Sequence, residues 1–225
     1  MIETRAVLRV RRLGLVPYRE AWDLQKDLVE KRKRREIDDV LLLLEHPSVY
    51  TLGRRGDLGH VLASEDELAR LGTSVVHTDR GGDVTWHGPG QLVGYPILSL
   101  EPDRKDVVRY VRDLEESIIR ALGDFGVRAG RVRGMTGVWA GDEKVAAIGV
   151  RISRWVTSHG FAFNVCNSLG PYERIVPCGI VGRGVTTLSR LAGRPVSVGE
   201  AAERVIVRFA EVFEREPILE DGGAR

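Results

Sequence analysis

The chain has 225 residues, a formal net charge of +2 and 43% hydrophobic residues, enough to bury a sizeable core without covalent staples. That charge is not the balance of a dedicated nucleic-acid binder, and the longest apolar run, residues 40–44, is far short of the roughly 20 residues a membrane-spanning helix needs. Cys166 and Cys178 make no CxxC pair, and histidines 46, 60, 77, 87 and 159 show no metal-ligand spacing, so neither a disulfide framework nor a bound metal is expected. Met1 leads into the chain with no apolar leader segment, which makes a cytoplasmic location the expectation. Nothing resembles a linker, so residues 1–225 are expected to form a single domain.

Residues 6–10 read as an opening strand, and Pro17 then starts a helix with Tyr18, Trp22, Gln25, Leu28 and Val29 on one face. Its end, residues 31–35, is a run of lysine and arginine, best read as a solvated last turn that complements the helix dipole. Residues 40–44 form a short buried strand. Ser64 and Glu67 have capping-box spacing and predict a short helix to Leu71. Strands follow at 74–78 and 92–98, and a helix over 103–123 places Val107, Val111, Leu114, Ile118 and Leu122 along one stripe. Further strands fit 137–140, 144–152 and 155–165, then a glycine-rich irregular stretch from 167 to 184. Ser197 and Glu200 open a last helix that turns Val198, Ala201, Ala202, Val205, Phe209 and Val212 inward. Strands and helices mix without regular alternation, an α+β pattern.

Residues 80–91 are the most unusual segment, with four glycines and a proline among Arg80, Thr85, Trp86, His87 and Gln91. A turn alone needs the glycines, but not those polar and aromatic side chains around them. No dinucleotide or phosphate-loop motif is present. Cys166 ends an alternating strand pattern and reads as a small core residue. Cys178 stands between Pro177 and Gly179 in irregular backbone, and the residues alone leave it open between a packed thiol and a nucleophile. Lys144 differs from Lys26, Lys31, Lys33 and Lys105, which fall on helices or their approaches, because it begins an apolar strand. Spacing does not say whether Lys144 and Cys178 meet.

Five blocks in this order carry a family resemblance: residues 45–53 (Glu45-His46-Pro47 and onward), 80–91, 144–149, 159–164 and 177–180. Together they resemble the lipoyl(octanoyl) transferases, which move octanoate from acyl carrier protein to a protein lysine. The resemblance implies a mixed β-sheet flanked by helices, the class II synthetase-like catalytic fold of biotin/lipoate protein ligases. It implies Cys178 as the acyl-thioester nucleophile and Lys144 as the partner that lowers its pKa. The acyl group would lie against Arg80, Gly81, Gly82, Asp83, Val84, Thr85, Trp86 and His87, against Ala147, Ile148 and Gly149, and against Gly160, Phe161 and Ala162. The glycines in these blocks would leave room for an extended acyl chain. The implied partners are octanoyl-acyl-carrier protein as donor, and lipoyl domains of 2-oxoacid dehydrogenases or glycine-cleavage H protein as acceptors. No cofactor, metal, nucleic acid or membrane is implied. An arginine-rich surface would then steer an acidic carrier.

Two other readings compete. An ATP-dependent lipoate or biotin ligase of the same fold activates a free acid as an adenylate and has no use for a cysteine nucleophile. A binding module acting through residues 31–35 leaves the glycine-rich block and the pair of Lys144 and Cys178 without a purpose.

Overall fold

The structure is a computed structural model that describes residues 6–102, 104–176 and 183–220. In chain order the elements are β1 (Ala6–Leu15), α1 (Tyr18–Lys33), β2 (Asp39–Glu45), β3 (Val49–Leu52), α2 (Glu65–Arg70), β4 (Ser74–His77), β5 (Val84–His87) and β6 (Gln91–Ile97). They continue with α3 (Val107–Gly123), β7 (Gly130–Val132), β8 (Met135–Ala140), β9 (Glu143–Ser153) and β10 (Val156–Asn164). The last are β11 (Gly184–Val185), α4 (Leu188–Ala192), α5 (Val198–Phe213) and β12 (Arg215–Glu220).

The apolar run at 40–44 is a central strand buried on both faces, which is why it shows no polar alternation. Leu41 and Leu43 pack with α3 and α5, whereas Val40, Leu42 and Leu44 pack with Ala21, Leu28 and Val29 of α1. The neighbouring β6 divides its side chains the same way, with Leu92 on one face and Val93, Tyr95 and Ile97 on the other. The main sheet therefore carries α3 and α5 on one side and α1 on the other. Its strand order is β12-β1-β2-β6-β10-β9-β8-β7, with β11 beside β9. The first three strands are parallel, and β2 through β7 pair antiparallel. A second sheet, β4-β3-β5, buries Tyr50, Leu52, Val84 and Trp86 over Leu68 of α2 and Ile175. The architecture is the expected α+β mixed sheet flanked by helices.

The sequence expectations shift at several ends. The helix expected from 103 begins at Val107, because Asp106 caps it by accepting the N–H groups of Val108 and Arg109 at 2.8 and 3.0 Å. Val107 is consequently exposed rather than on the buried stripe. Ser64 and Ser197 do cap their helices, each accepting the N–H three residues on. The basic run at 31–35 is a solvated turn largely tied up in ion pairs, with Lys31, Arg32, Lys33 and Arg34 on Asp27, Asp39, Glu30 and Glu36. The half-buried β1 extends five residues further than its apolar pattern. It is flanked by β12, which nothing in its sequence announced and which pairs with β1 across more than 200 residues. Among the described residues no helix is long and apolar enough to cross a membrane.

Asp39 ties the end of α1 to the sheet. Its fully enclosed carboxylate accepts Arg32 Nε at 2.8 Å, Arg215 Nε at 2.9 Å and the Ser99 N–H at 2.9 Å. Removing one partner from a buried ion cluster strands the others. Asp39→Ala is expected to lower unfolding stability by about 3 kcal/mol, read from chemical denaturation against the unsubstituted protein.

Candidate active site

A cavity of about 480 Å³ opens between the two sheets. One wall is the 80–87 segment, and the other is the strand pair β9 and β10, in register at Ala147 with Ala162, Ile148 with Phe161 and Gly149 with Gly160. Arg80, Gly81, Gly82, Asp83, Val84, Thr85 and His87 line it, as do Ala147, Ile148, Gly149, Gly160, Phe161 and Ala162. Lys144 lines it as well. Trp86 does not: its ring packs edge-on against Tyr172 in the core of the small sheet, and its Nε1–H donates to Ser48 Oγ at 3.0 Å. Cys178 belongs to residues 177–182, which lie outside the described residues. The residues that bracket them, Ile175 and Val185, both line the cavity. Val185 pairs directly with Lys144, and the Thr186 N–H donates to the Lys144 carbonyl at 3.0 Å.

The glycines serve a different purpose from the one their number suggested. A Cβ on Gly160 would lie 2.2 Å from the Gly94 carbonyl oxygen, and one on Gly149 would lie 2.9 Å from that of Gly81. At these two positions the missing side chain lets a neighbouring backbone come close. The Gly81 N–H donates to Val150 O at 3.0 Å, so the 80–82 loop lies directly on β9.

The loop is held from beneath by Arg80. Its guanidinium donates to Thr51 O at 2.6 Å, to Thr51 Oγ1 at 2.9 Å and to Gly81 O at 3.1 Å. Burial pushes its pKa below the usual arginine range. The Thr51 hydroxyl, already accepting from Arg80, donates to His87 Nε2 at 3.3 Å, which leaves His87 Nδ1–H to donate to Gln91 Oε1 at 2.8 Å. His46 Nδ1–H donates to Val16 O at 2.6 Å, so its Nε2 accepts from the Tyr95 hydroxyl at 2.7 Å. Burial lowers His46 to about 4, drives His87 well below its ordinary value and raises Tyr18 to about 12. His159 Nε2–H donates to Asp79 Oδ1 at 2.7 Å, and burial outweighs that carboxylate in lowering its pKa. The rings of His46 and His87 meet edge-on with centroids 5.7 Å apart, and Tyr18 stacks on His87 at 5.8 Å. At neutral pH this end of the cavity is polar but carries its imidazoles uncharged.

Lys144 has the opposite setting. Its ammonium lies 4.8 Å from the centre of the Trp139 ring, a cation–π contact. Burial lowers its pKa to about 8, partly opposed by the charge of Glu115. A lysine there is charged at pH 7 yet close enough to neutrality to exchange a proton.

Reading the sequence missed several lining residues. Tyr18 was taken for part of a core face, and Tyr95, Arg55 and Tyr172 carried no local signal. Tyr172 sits on a 3₁₀ turn within the stretch expected to be irregular, where its hydroxyl accepts from Gln91 Nε2 and donates to Asn164 Oδ1. Cys166 is exposed, not a core residue. The ladder ends at Asn164, and the chain bends so that the Cys166 N–H donates to Gly90 O at 2.9 Å.

Residues 17–210 match the family model of the lipoyl protein ligase A/B catalytic domain. An octanoyltransferase of Solibacter usitatus is 52% identical over 207 residues, covering 92% of this chain and 93% of that one. An octanoyltransferase of Rubrobacter xylanophilus is 52% identical over 214 residues, covering 94% and 96%. Among solved structures, a lipoate-protein ligase A bound with ATP superimposes with a TM-score of 0.74 at 16% identity, covering 97% of this chain and 89% of that one. The bi-partite lipoate protein ligase of Thermoplasma acidophilum gives 0.74 at 16%, covering 97% and 88%. At such distance the structures speak to the fold alone, but half-identity along nearly the full length goes further: the chain belongs to the lipoyl protein ligase A/B catalytic-domain family and, within it, to the octanoyltransferases.

Proposed function

We propose that this acyltransferase takes octanoate from an octanoyl-acyl-carrier protein and delivers it to a lysine of a lipoyl domain or of glycine-cleavage H protein, through a thioester on Cys178 and without ATP. The observation that carries the reading is Lys144: a half-buried cation lining a cavity that is also lined by the residues on both sides of the Cys178 segment.

With a pKa of about 8, Lys144 is roughly nine-tenths protonated at pH 7. An ammonium near a thiol favours the thiolate. The Cys178 thiolate attacks the donor thioester carbonyl, and the carrier sulfur leaves as a thiolate that takes a proton from the Lys144 ammonium, leaving that lysine neutral. The acceptor amine then attacks the new thioester, forming an amide and releasing the cysteine sulfur, while a neutral Lys144 accepts the proton that the amine loses. Thioester exchange is close to energy-neutral and an amide is more stable than a thioester, so no nucleotide is needed to drive either step. The apolar and small groups at Ala147, Phe161 and Ala162 suit a saturated chain, and the imidazoles beside it are uncharged.

Intact-mass spectrometry after mixing with octanoyl-carrier protein in the absence of ATP tests the intermediate. The expected result is a hydroxylamine-labile octanoyl adduct that maps to Cys178 and is absent from Cys178→Ser, with Cys166→Ala unaffected. Labelling that appears only with free octanoate and ATP would place the chain among the ligases instead.

The buried cation has a thermodynamic consequence. Its folded pKa, about 8, lies below the ordinary lysine value of about 10.4, so the unfolded chain binds more protons between those values. Stability relative to a variant lacking the group is lowest below pH 8 and recovers as the pH rises through 10.4. Lys144→Met is therefore expected to abolish transfer and yet to unfold at a higher temperature than the unsubstituted protein at pH 7. The gap should narrow by pH 10, as thermal melts across that range will read.

A further inference from the structure

Glu115 is a carboxylate that the proposed chemistry does not use and that is nevertheless completely buried. It reaches from α3 to β8, where its Oε1 accepts the Gly137 N–H at 3.0 Å. Its Oε2 accepts Arg112 Nη1 at 2.8 Å and Arg131 Nε at 2.9 Å. Gly137 lies between Met135, which pairs with β7, and Val138, which pairs with Ala146 just before β8 shifts register on β9. Its N–H is held by the Glu115 side chain.

The backbone at Gly137 is in a region closed to most residues, with φ of +123°. A Cβ there would lie 2.6 Å from Ala146 O and 3.3 Å from Lys144 Cε. Gly137 is thus pressed against the aliphatic stem of Lys144. Two residues on, Trp139 pairs in register with Lys144 and presents its ring to the ammonium at 4.8 Å. The guanidinium of Arg183 lies 5.5 Å from the centre of that ring and pairs with Asp142 at 2.8 Å. The short stretch from Gly137 to Trp139 therefore cradles both the stem and the charge of Lys144, and Glu115 is what fixes its first residue.

We propose that Glu115 is a positioning residue for Lys144: by holding the Gly137 N–H it sets the β8 segment that packs against the lysine stem and head. It touches neither substrate nor reacting atoms, and its part in catalysis rests on the reading of Lys144 given above. Arg112 and Arg131, whose side chains are 48% and 32% exposed, offset its charge from the solvent side. Charged groups on the elements packed around Lys144 include Glu115 from α3 with its two arginines, Arg131 being shared with Glu116 at 2.9 Å, then Arg183 with Asp142 beyond the indole, and Glu143 next to it on β9. The last is turned toward Gly184 of β11.

The test separates geometry from charge. The chain has only five lysines, so a ¹³Cε-lysine NMR titration resolves Lys144, assigned by its loss in Lys144→Met. Glu115→Gln keeps an oxygen for Gly137 but removes the negative charge, and should move the Lys144 midpoint down while retaining most of kcat. Arg131→Gln leaves the carboxylate less neutralised and should move the midpoint up. Glu115→Ala loses both, and kcat should fall at least about tenfold with KM for donor and acceptor unchanged. Midpoints unmoved in both Glu115→Gln and Arg131→Gln would overturn the proposal, even if Glu115→Ala fails to fold. Equal kcat in folded Glu115→Ala and Glu115→Gln would overturn it too. The titration reads Lys144 directly, so a chain that forms no thioester would refute the transfer reading and leave this measurement standing.

Discussion

A single buried guanidinium joins the two sheets. Arg80 grips the Thr51 backbone and hydroxyl in the small sheet and, through Gly81, lays its own loop on Val150 of the main sheet. Taking a cation out of water costs several kcal/mol before compensation, and here the compensation comes from hydrogen bonds to neutral oxygens. The close crossing of Gly81 over Gly149 lies at this same strut, so one local arrangement sets the 80–82 loop against β9 along one side of the cavity. The two walls that the acyl group would touch meet there.

The same low-polarity setting sorts the titratable groups into two regimes. Around His46, His87 and Tyr95 desolvation acts on rings that are already hydrogen-bonded, His46 to Tyr95 and His87 to Thr51 and Gln91, so they stay neutral and form a hydrogen-bonded wall. At Lys144 desolvation acts on a group whose charged form retains an aromatic face and a distant carboxylate, and the result is a pKa of about 8 rather than full neutralisation. The same burial keeps the histidines neutral and brings the lysine toward neutrality.

Function in this domain lies close to its irregularities. The register shift between Val138 and Trp139, the backbone crossing at Gly81 and Gly149, and the break in the β10 ladder after Asn164 each sit beside a side chain that lines the cavity. Regular strands such as β2 carry the core and no chemistry. Regular pairing consumes backbone hydrogen bonds in the ladder, whereas an N–H outside it is open to a side chain, as Glu115 holds Gly137.

Local sequence determined what short-range physics controls: the caps at Ser64 and Ser197, the doubly buried strand at 40–44, the amphipathic faces of α3 and α5, and the unusual character of 80–91. The ordered blocks from Glu45 to Gly149 and beyond also carried the family. What residue patterns did not give were the pairings that depend on contacts far apart in the chain. β12 is an edge strand with mostly exposed side chains, so only β1 tells it where to lie. Tyr18 and Tyr95 enter the cavity through neighbours remote in sequence, and Trp86 is drawn out of it into the core of the small sheet by Tyr172 and Ser48. Cys166 looked buried by alternation and is exposed because the ladder stops two residues earlier. The setting of Lys144 on Trp139, with Glu115 behind it, was decided only by the tertiary fold. A pKa is fixed by what surrounds a group in space, and the spacing of residues along a chain carries no record of that.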